Sequence, residues 1–317
     1  EMSTGAIEVV ADQMQVLNES TELPFSMNIK ELLNEETRLK YRYLDLRRPH
    51  MQHNIRTRSR VVQTVRETLI ERGFFEIETP TLFRTTSEGA REYIVPTRER
   101  GRFYSLVQSP QQYKQLLMMS GFERYFQLAR CYRDEDLRAD RQPEFTQVDL
   151  ELAFADAKTV QDVIEHLVQV LWRKFLNIEL TLPFKRVTYR ECLDKYGSDK
   201  PDTRYELQLC NCTHILRDTR AELFRKILID GGAVHALRIP HLGQQISRVM
   251  EEIKQRGVEH VTAVRIMADG QWKSALAKHV TADEINALNK EIGAQEGDLI
   301  FFSAGLGDDP LNVSIFK

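Results

Sequence analysis

The sequence predicts an α+β fold in which an antiparallel sheet is flanked by helices, with a small α+β domain at the C-terminal end. Three observations support this class. Strand-like segments between residues 74 and 152 are separated by hairpin turns rather than by crossover helices, which favours an antiparallel sheet. A helical apolar pattern at residues 160–171 predicts a long helix over that sheet. Beyond residue 221, short strands and helices alternate, which predicts a compact module.

The composition is that of a packed protein without a membrane span. Of the 317 residues, 42% are hydrophobic and 29% are charged, and no apolar run approaches the roughly 20 residues that a bilayer requires. The net charge of -3 gives no overall basic field, so any RNA contact must depend on local patches. The four cysteines have no metal-ligand spacing, which favours a reduced compartment without structural zinc.

The N-terminal residues are predicted to hold the last strand of an upstream module, followed by a linker. Residues 6–10 have a strand-like sequence, and residues 18–24 are polar and turn-forming. We therefore expect the chain to be part of a longer protein.

Residues 34–72 are predicted to be helical, with an interruption at Pro49. The second part carries an apolar stripe that Gly73 ends. This stripe comprises Ile55, Val62, Val65, Leu69 and Ile70. The arginines on the polar side of the first part suit either a solvated face or contact with RNA, and the residues alone leave both open.

Three strands are predicted next. Residues 74–80 alternate between apolar and polar side chains and end at a proline, which predicts one strand. Residues 92–95 and 103–106 flank a turn at residues 98–101, which predicts a hairpin. Between them, residues 85–90 are small around the single carboxylate of Glu88, a composition that fits either a mobile lid or an ordinary loop.

A second hairpin is predicted at residues 126–152. In its second strand, residues 144–152, successive side chains point alternately to the two faces of the sheet. The residues of one face are Phe145, Gln147, Asp149 and Glu151, and those of the other are Thr146, Val148, Leu150 and Leu152. The first face either is exposed to solvent or lines a polar pocket. With Arg133 close across the hairpin, a ring, two carboxylates and a guanidinium would suit adenine stacking, phosphate binding and ammonium recognition.

Ser109 and Pro110 predict a helix start, with Ser109 as the N-cap. Gln111 and Lys114 are three residues apart and therefore share a face of this helix. A lysine in a first helical turn opposes the helix dipole unless an anion binds there, but an ordinary exposed lysine fits the pattern equally well. The sequence has no P-loop, Rossmann glycine motif, nucleophile elbow or zinc signature.

These segments together resemble the class II aminoacyl-tRNA synthetases. Residues 73–80 resemble motif 1, and residues 126–151, with RCYRDE at 130–135 and RQPEFTQ at 141–147, resemble motif 2. Three further stretches narrow the resemblance to the aspartyl-tRNA synthetases of the bacterial type, a group that includes mitochondrial enzymes. They are YRYLDLR at 41–47, QSPQQYKQ at 108–115 and YGSDKPD at 196–202.

The resemblance implies three domains. Residues 1–26 would be a remnant of an OB-type anticodon-binding domain with its linker, residues 27–221 the catalytic domain with motifs 1 and 2, and residues 222–317 an inserted α+β domain of the GAD type. Motif 3 and the residues that hold Mg²⁺ are expected outside this chain, so no metal site is expected within it and the chain alone is expected to be inactive.

The resemblance also implies roles for individual residues, with Arg133 as the catalytic one. The residues implied for aspartate binding are Glu88, Ser109, Gln111, Lys114, Arg133 and Asp149. Those implied for ATP binding are Arg133, Asp134, Glu135, Gln142, Phe145 and Gln147. Those implied for the acceptor end of tRNA are Arg138, Asp140 and Arg141.

The implied activity is ATP-dependent attachment of L-aspartate to tRNA(Asp) through an aspartyl-adenylate, by a homodimer that assembles through motif 1. The implied partners are tRNA(Asp), L-aspartate and ATP, with Mg²⁺ as cofactor and no membrane. The expected compartment is the mitochondrial matrix, with the bacterial cytoplasm as the alternative. Two other hypotheses remain: a related asparaginyl or lysyl synthetase, and a catalytically incomplete dimerising or RNA-binding protein.

Overall fold

The structure of the chain is a computed structural model, and it describes residues 5–27, 33–86, 88–136, 138–205, 207–255 and 261–305. The chain forms two compact units, which divide between Phe184 and Lys185. None of the helices in the described part of the chain has the length and apolar character needed to cross a membrane.

The first unit contains five helices and six strands among its described residues. The helices are α1 (Glu35–Lys40), α2 (Arg42–Asp45), α3 (Pro49–Glu71), α4 (Gln111–Met119) and α5 (Ala157–Leu176). The strands are β1 (Phe75–Glu76), β2 (Leu82–Phe83), β3 (Ile94–Pro96), β4 (Phe103–Leu106), β5 (Arg124–Tyr132) and β6 (Glu144–Leu152).

The predicted helical region is confirmed, including its interruption. Pro49 occupies the first position of α3, where its missing N–H costs no hydrogen bond, and Gly73 follows the helix with a φ of 80°. The predicted apolar stripe is only partly correct, because Leu69 is buried whereas Ile55 and Ile70 are exposed.

The described part of the first unit contains two three-stranded sheets, with the strand orders β1-β5-β6 and β2-β4-β3. Both predicted hairpins are present and antiparallel. The strand predicted at residues 74–80 is only the two residues of β1, and it pairs parallel to β5. Helices α3 and α5 cover one face of the first sheet through a core of Val65, Leu69, Phe74, Phe126, Val163 and Leu167.

The strand predicted at residues 6–10 is wrong. These residues are irregular and exposed, with Ile7 and Val9 both open to solvent. A strand forms only where its backbone N–H and C=O groups find a partner. No strand in the described part of the chain pairs with this segment.

The second unit is built on one antiparallel sheet. Its described helices are α6 (Tyr189–Tyr196), α7 (Glu222–Ile229), α8 (Ile246–Gln255) and α9 (Ala282–Ile292). Its strands are β7 (Leu209–Asn211), β8 (Ala233–Ile239), β9 (Val261–Ile266), β10 (Trp272–Lys273) and β11 (Leu299–Gly305), in the order β10-β9-β11-β8-β7. The predicted alternation of strands and helices is therefore confirmed.

The compact units do not divide at residue 221, where the domain boundary was expected. Strand β7 lies before that position but pairs with β8 of the second unit. Leu216 and Ala221 are also buried in the same core as Val234 and Phe302. Pairing across the expected boundary places residues 185–221 in the second unit.

Candidate active site

The antiparallel pair β5–β6 has one apolar face and one polar face. The cross-strand pairs on the polar face are Tyr125–Glu151, Gln127–Asp149, Ala129–Gln147 and Cys131–Phe145. On the other face, Leu150 and Leu152 pack into the core beneath α3 and α5. The alternation predicted for β6 is therefore present, and the sheet offers a polar floor on which a ligand can lie.

Lys114 and Asp149 form a buried ion pair on this polar floor. The Lys114 ammonium lies 2.8 Å from Asp149 Oδ1 and 3.4 Å from Glu151 Oε2. The side chains of Lys114 and Asp149 are only 10% and 9% exposed, which excludes the flexible surface lysine that the sequence left open. The second oxygen of Asp149 is buried without a hydrogen-bond partner, so it can accept a hydrogen bond from a ligand.

The start of α4 differs from the prediction. Pro110, not Ser109, is the N-cap residue, and no side chain caps the helix. The Ser109 hydroxyl instead donates to Glu88 Oε2 at 3.1 Å. Gln111 opens the helix and is half-buried, one turn before Lys114. The serine therefore connects the helix start to the loop that carries Glu88.

Three residues that the sequence interpretation missed, Thr79, Tyr125 and Gln127, support the polar floor. The hydroxyls of Tyr125 and Thr79 both donate to Gln127 Oε1, each at 2.9 Å. Burial and the charge of Asp149 raise the pKa of Tyr125, which keeps its hydroxyl protonated and able to donate. The period of two in β5 places Tyr125 and Gln127 on the face of Asp149, so this signal was present in the sequence.

Cys131 is a fourth residue that was missed, and several charged side chains act on its thiol. Its buried thiol donates to Gln147 Oε1 at 3.5 Å. Burial raises the pKa of the Cys131 thiol to about 11, so it is a neutral group and not a nucleophile near neutral pH. The charged side chains that act on this thiol are Arg133, Asp149, Glu88 and Lys114. These four charges therefore all act on one buried thiol.

Arg133 and Phe145 lie together beside a pocket of about 460 Å³. The guanidinium carbon is 5.1 Å from the centre of the Phe145 ring. The Nε atom of Arg133 is buried without a hydrogen-bond partner, which leaves a donor for a ligand. The pocket is lined by Arg133, Glu135, Asp136, Asp140, Arg141, Gln142 and Phe145.

The loop between β5 and β6 contributes most of this lining. Arg141 reaches Glu135 at 3.4 Å, and the backbone N–H of Arg141 donates to the carbonyl of Arg138 at 3.1 Å. Arg138 is exposed. The structure thus brings residues implied for ATP and residues implied for tRNA to one loop, and it adds Asp136, which the sequence interpretation did not select.

Two residues implied for ATP binding do not line this pocket. Asp134 is paired with Arg91 at 3.8 Å in an exposed position, and its backbone N–H donates to the Arg91 carbonyl at 2.9 Å. Gln147 lies deeper on the polar floor, where it accepts from Cys131.

In the part of the chain that the structure describes, no group of three or more potential ligands is placed to hold a metal ion. Mg²⁺ is usually held by one or two carboxylates together with substrate phosphates and water, and its ligands remain expected outside this chain.

A family model described as class II tRNA synthetases (D, K and N) matches residues 34–291. Among curated proteins, the chain is 44% identical over 315 residues to an aspartate–tRNA(Asp/Asn) ligase of a Hydrogenobaculum species, covering 98% of this chain and 52% of that protein. It is 46% identical over 316 residues to a mitochondrial aspartate–tRNA ligase of Dictyostelium discoideum, covering 96% of this chain and 45% of that protein. The chain spans about half the length of the curated relatives it matches.

Proposed function

We propose, because this chain belongs to the class II tRNA synthetases of the D, K and N group, that its protein attaches aspartate to tRNA in an ATP-dependent reaction. The names of the relatives support aspartate as the amino acid. In the structure, the main support for this proposal is the buried Lys114–Asp149 pair, in which Asp149 Oδ2 has no hydrogen-bond partner.

This pair has the charges that an aspartate molecule needs. The side-chain carboxylate of aspartate would take the place of Asp149 beside the Lys114 ammonium, and its α-ammonium would bind the Asp149 carboxylate. An asparagine side chain has no charge to offer the lysine, and a lysine side chain would place like charges together. The charge pattern therefore favours aspartate over both related amino acids.

Activation would proceed by attack of the aspartate α-carboxylate on the α-phosphorus of ATP. A carboxyl oxygen–phosphorus bond forms, the bond to the β-phosphate breaks, and pyrophosphate leaves with the electron pair. A terminal ribose hydroxyl of tRNA then attacks the carbonyl carbon, the bond from this carbon to the phosphate oxygen breaks, and AMP leaves with the electron pair while one of its phosphate oxygens takes the hydroxyl proton. Little proton transfer is required of side chains, so this chain would act by positioning and by charge stabilisation.

In this mechanism Arg133 has the main role. Its guanidinium can pair with charge that builds up at the α-phosphate, and Phe145 beneath it offers a ring face to adenine. Glu135 and Gln142 would hold the rest of the nucleotide, with Asp134 and Gln147 at its edges. Arg138, Asp140 and Arg141 would meet the acceptor end of tRNA from the same loop.

The exposed apolar surface at β1 supports a homodimer as the active assembly. Phe75 is 62% exposed, and its ring meets that of Phe122 edge to face with 6.5 Å between the centroids. Large apolar groups left open in this way mark an interface more often than a free surface. For the compartment, the relatives include both bacterial and mitochondrial proteins, and the mitochondrial matrix remains our proposal, with the bacterial cytoplasm as the alternative.

The test is amino-acid-dependent exchange of pyrophosphate into ATP. We expect a protein that extends this chain to the full length of its relatives to exchange with aspartate and not with asparagine or lysine, and we expect this chain alone to be inactive. Exchange driven by asparagine or lysine would establish one of the related activities. An extended protein that binds tRNA but exchanges with none of the three would support the catalytically incomplete alternative.

A further inference from the structure

The amide of the buried Gln108 side chain forms two hydrogen bonds with the backbone of a loop residue. The residue is 2% exposed and lies two positions after the end of β4. The Ala90 N–H donates to Gln108 Oε1 at 3.2 Å, and Gln108 Nε2 donates to the Ala90 carbonyl at 2.9 Å. The amide thus satisfies both backbone groups of Ala90, as a neighbouring strand would do.

A second side chain holds the other end of the same loop. Glu92 Oε1 accepts from the Thr86 N–H at 2.7 Å, and Glu92 Oε2 accepts from the Ser105 hydroxyl at 2.8 Å. Burial alone would raise the pKa of Glu92, but these hydrogen bonds outweigh it and hold the pKa below its ordinary value. The carboxylate therefore stays charged and keeps its acceptors available.

Glu88 lies between these two anchors in an exposed position, and its carboxylate contacts the start of α4. Ser109, the neighbour of Gln108, donates to Glu88 Oε2 at 3.1 Å. The charge of Glu88 also acts on the Cys131 thiol, on which the charges of Lys114 and Arg133 act as well. A shift of the loop would therefore move a carboxylate relative to both cations.

The segment that carries Gln108 also frames Arg133. The Tyr132 N–H donates to the Val107 carbonyl at 2.9 Å, and the Asp134 N–H donates to the Arg91 carbonyl at 2.9 Å. The residues on both sides of Arg133 are thus tied to the residues beside Gln108 and beside the loop. One hydrogen-bonded frame sets the positions of Glu88 and Arg133 together.

We propose that Gln108 is a positioning residue that fixes the loop of Glu88 beside the start of α4, the helix that carries Lys114, and thereby sets the affinity for the amino acid substrate. This inference rests on the proposed function. A residue that only filled space here could be apolar, since leucine has nearly the same volume and no desolvation cost. The amide is needed because the backbone N–H and carbonyl of the half-buried Ala90 would otherwise both lose their hydrogen-bond partner.

The test uses Gln108→Glu in a protein extended to the full length of its relatives. A carboxylate can accept from the Ala90 N–H but cannot donate to its carbonyl, whereas the protonated acid has one donor and one acceptor and can replace the amide. Burial raises the pKa of such a carboxyl, so protonation occurs near neutral pH. We expect the KM for aspartate to rise about ten- to a hundredfold at about pH 8, with kcat changed far less, and to recover toward about pH 6.

The matched control is Gln115→Glu, which makes the same change at an exposed position of α4. It should leave the KM for aspartate and its pH dependence unchanged. A second variant, Gln108→Leu, removes both hydrogen bonds at every pH, so its KM should stay high without recovery. Amide hydrogen exchange at Ala90 should speed up in Gln108→Leu and, at the higher pH, in Gln108→Glu.

The results separate this inference from the proposed function. No aspartate-dependent exchange in the unaltered extended protein would defeat the proposed function itself. An active protein in which Gln108→Glu matches Gln115→Glu at both pH values would overturn the role of Gln108. A loss of kcat and thermal stability without a pH-dependent KM would show that Gln108 is only a structural residue.

Discussion

At the scale of single residues, the Lys114–Asp149 pair links stability to ligand binding. Both side chains are buried, so each charge is tolerated because the other is present. Removing one partner leaves an uncompensated charge in the interior, which costs more than the pair itself contributes. In the proposed function the same pair would open when aspartate binds, because the ligand would replace the contact between the two side chains.

We predict that Lys114→Met lowers the free energy of unfolding of the first unit by about 3 kcal/mol in the absence of any ligand. Urea unfolding followed by the fluorescence of Trp172, with Trp272 replaced by Phe, would measure it, because each unit contains one tryptophan. The double variant Lys114→Met with Asp149→Leu should recover most of the loss. Equal stability of the single variant and the unaltered chain would contradict a buried pair.

Arg133 differs from the other arginines of its hairpin in having a buried Nε without a partner. We predict that Arg133→Lys lowers kcat/KM for ATP about a hundredfold in the extended protein, since lysine lacks the planar fork that pairs with a phosphate. Arg130→Lys is the control, because Arg130 is exposed and pairs only with Glu144 at 2.7 Å. Similar losses in both variants would show that general charge, not the site of Arg133, matters.

At the scale of elements, β11 is the strand on which the second unit depends. It lies between β8 and β9, and Leu299, Ile300, Phe301 and Phe302 are all buried, so both of its faces are covered. The Phe302 ring lies 5.2 Å from the ring of Trp272 and 6.1 Å from that of Phe224, measured between centroids. A central strand buried on both faces has no solvent-facing side, and residues 299–302 accordingly form a continuous apolar run.

We predict that Phe302→Ala lowers the free energy of unfolding of the second unit by about 4 kcal/mol, because it leaves a cavity among large rings. The fluorescence of Trp272, with Trp172 replaced by Phe, would report this transition. Met267→Ala, at a partly exposed position directly after β9, should cost far less. A small effect of Phe302→Ala would mean that the rings around it close the space.

At the scale of the whole molecule, the exposed rings of Phe75 and Phe122 bear on how the chain assembles. Phe75 and Phe122 offer aromatic area to solvent at the segment that resembles motif 1, and a second copy of the chain would cover it. Two copies of one surface meet around a twofold axis, so one substitution acts twice in the interface. A dimer formed through this surface would for this reason be sensitive to a single charge at the centre of the interface.

We predict that Phe75→Glu converts a dimer into a monomer at micromolar concentration, measured by light scattering after size-exclusion chromatography. Ile229→Glu, which places the same charge at an exposed apolar position of the second unit, should leave the dimer intact. An unaltered protein that is already a monomer would refute the proposed interface.

The sequence by itself determined the features that follow from backbone periodicity. Alternation in β6 placed Gln147 and Asp149 on one face, Pro49 and Gly73 set the limits of α3, and the resemblance of motif 2 indicated the family. Only the tertiary structure decided which side chains meet. Lys114 and Asp149 are 35 residues apart, and their contact depends on how α4 lies on the sheet, which no local pattern encodes. For the same reason the strand predicted at residues 6–10 was wrong, since pairing partners decide where strands form, and the compact units divide after Phe184 rather than at the domain boundary expected at residue 221.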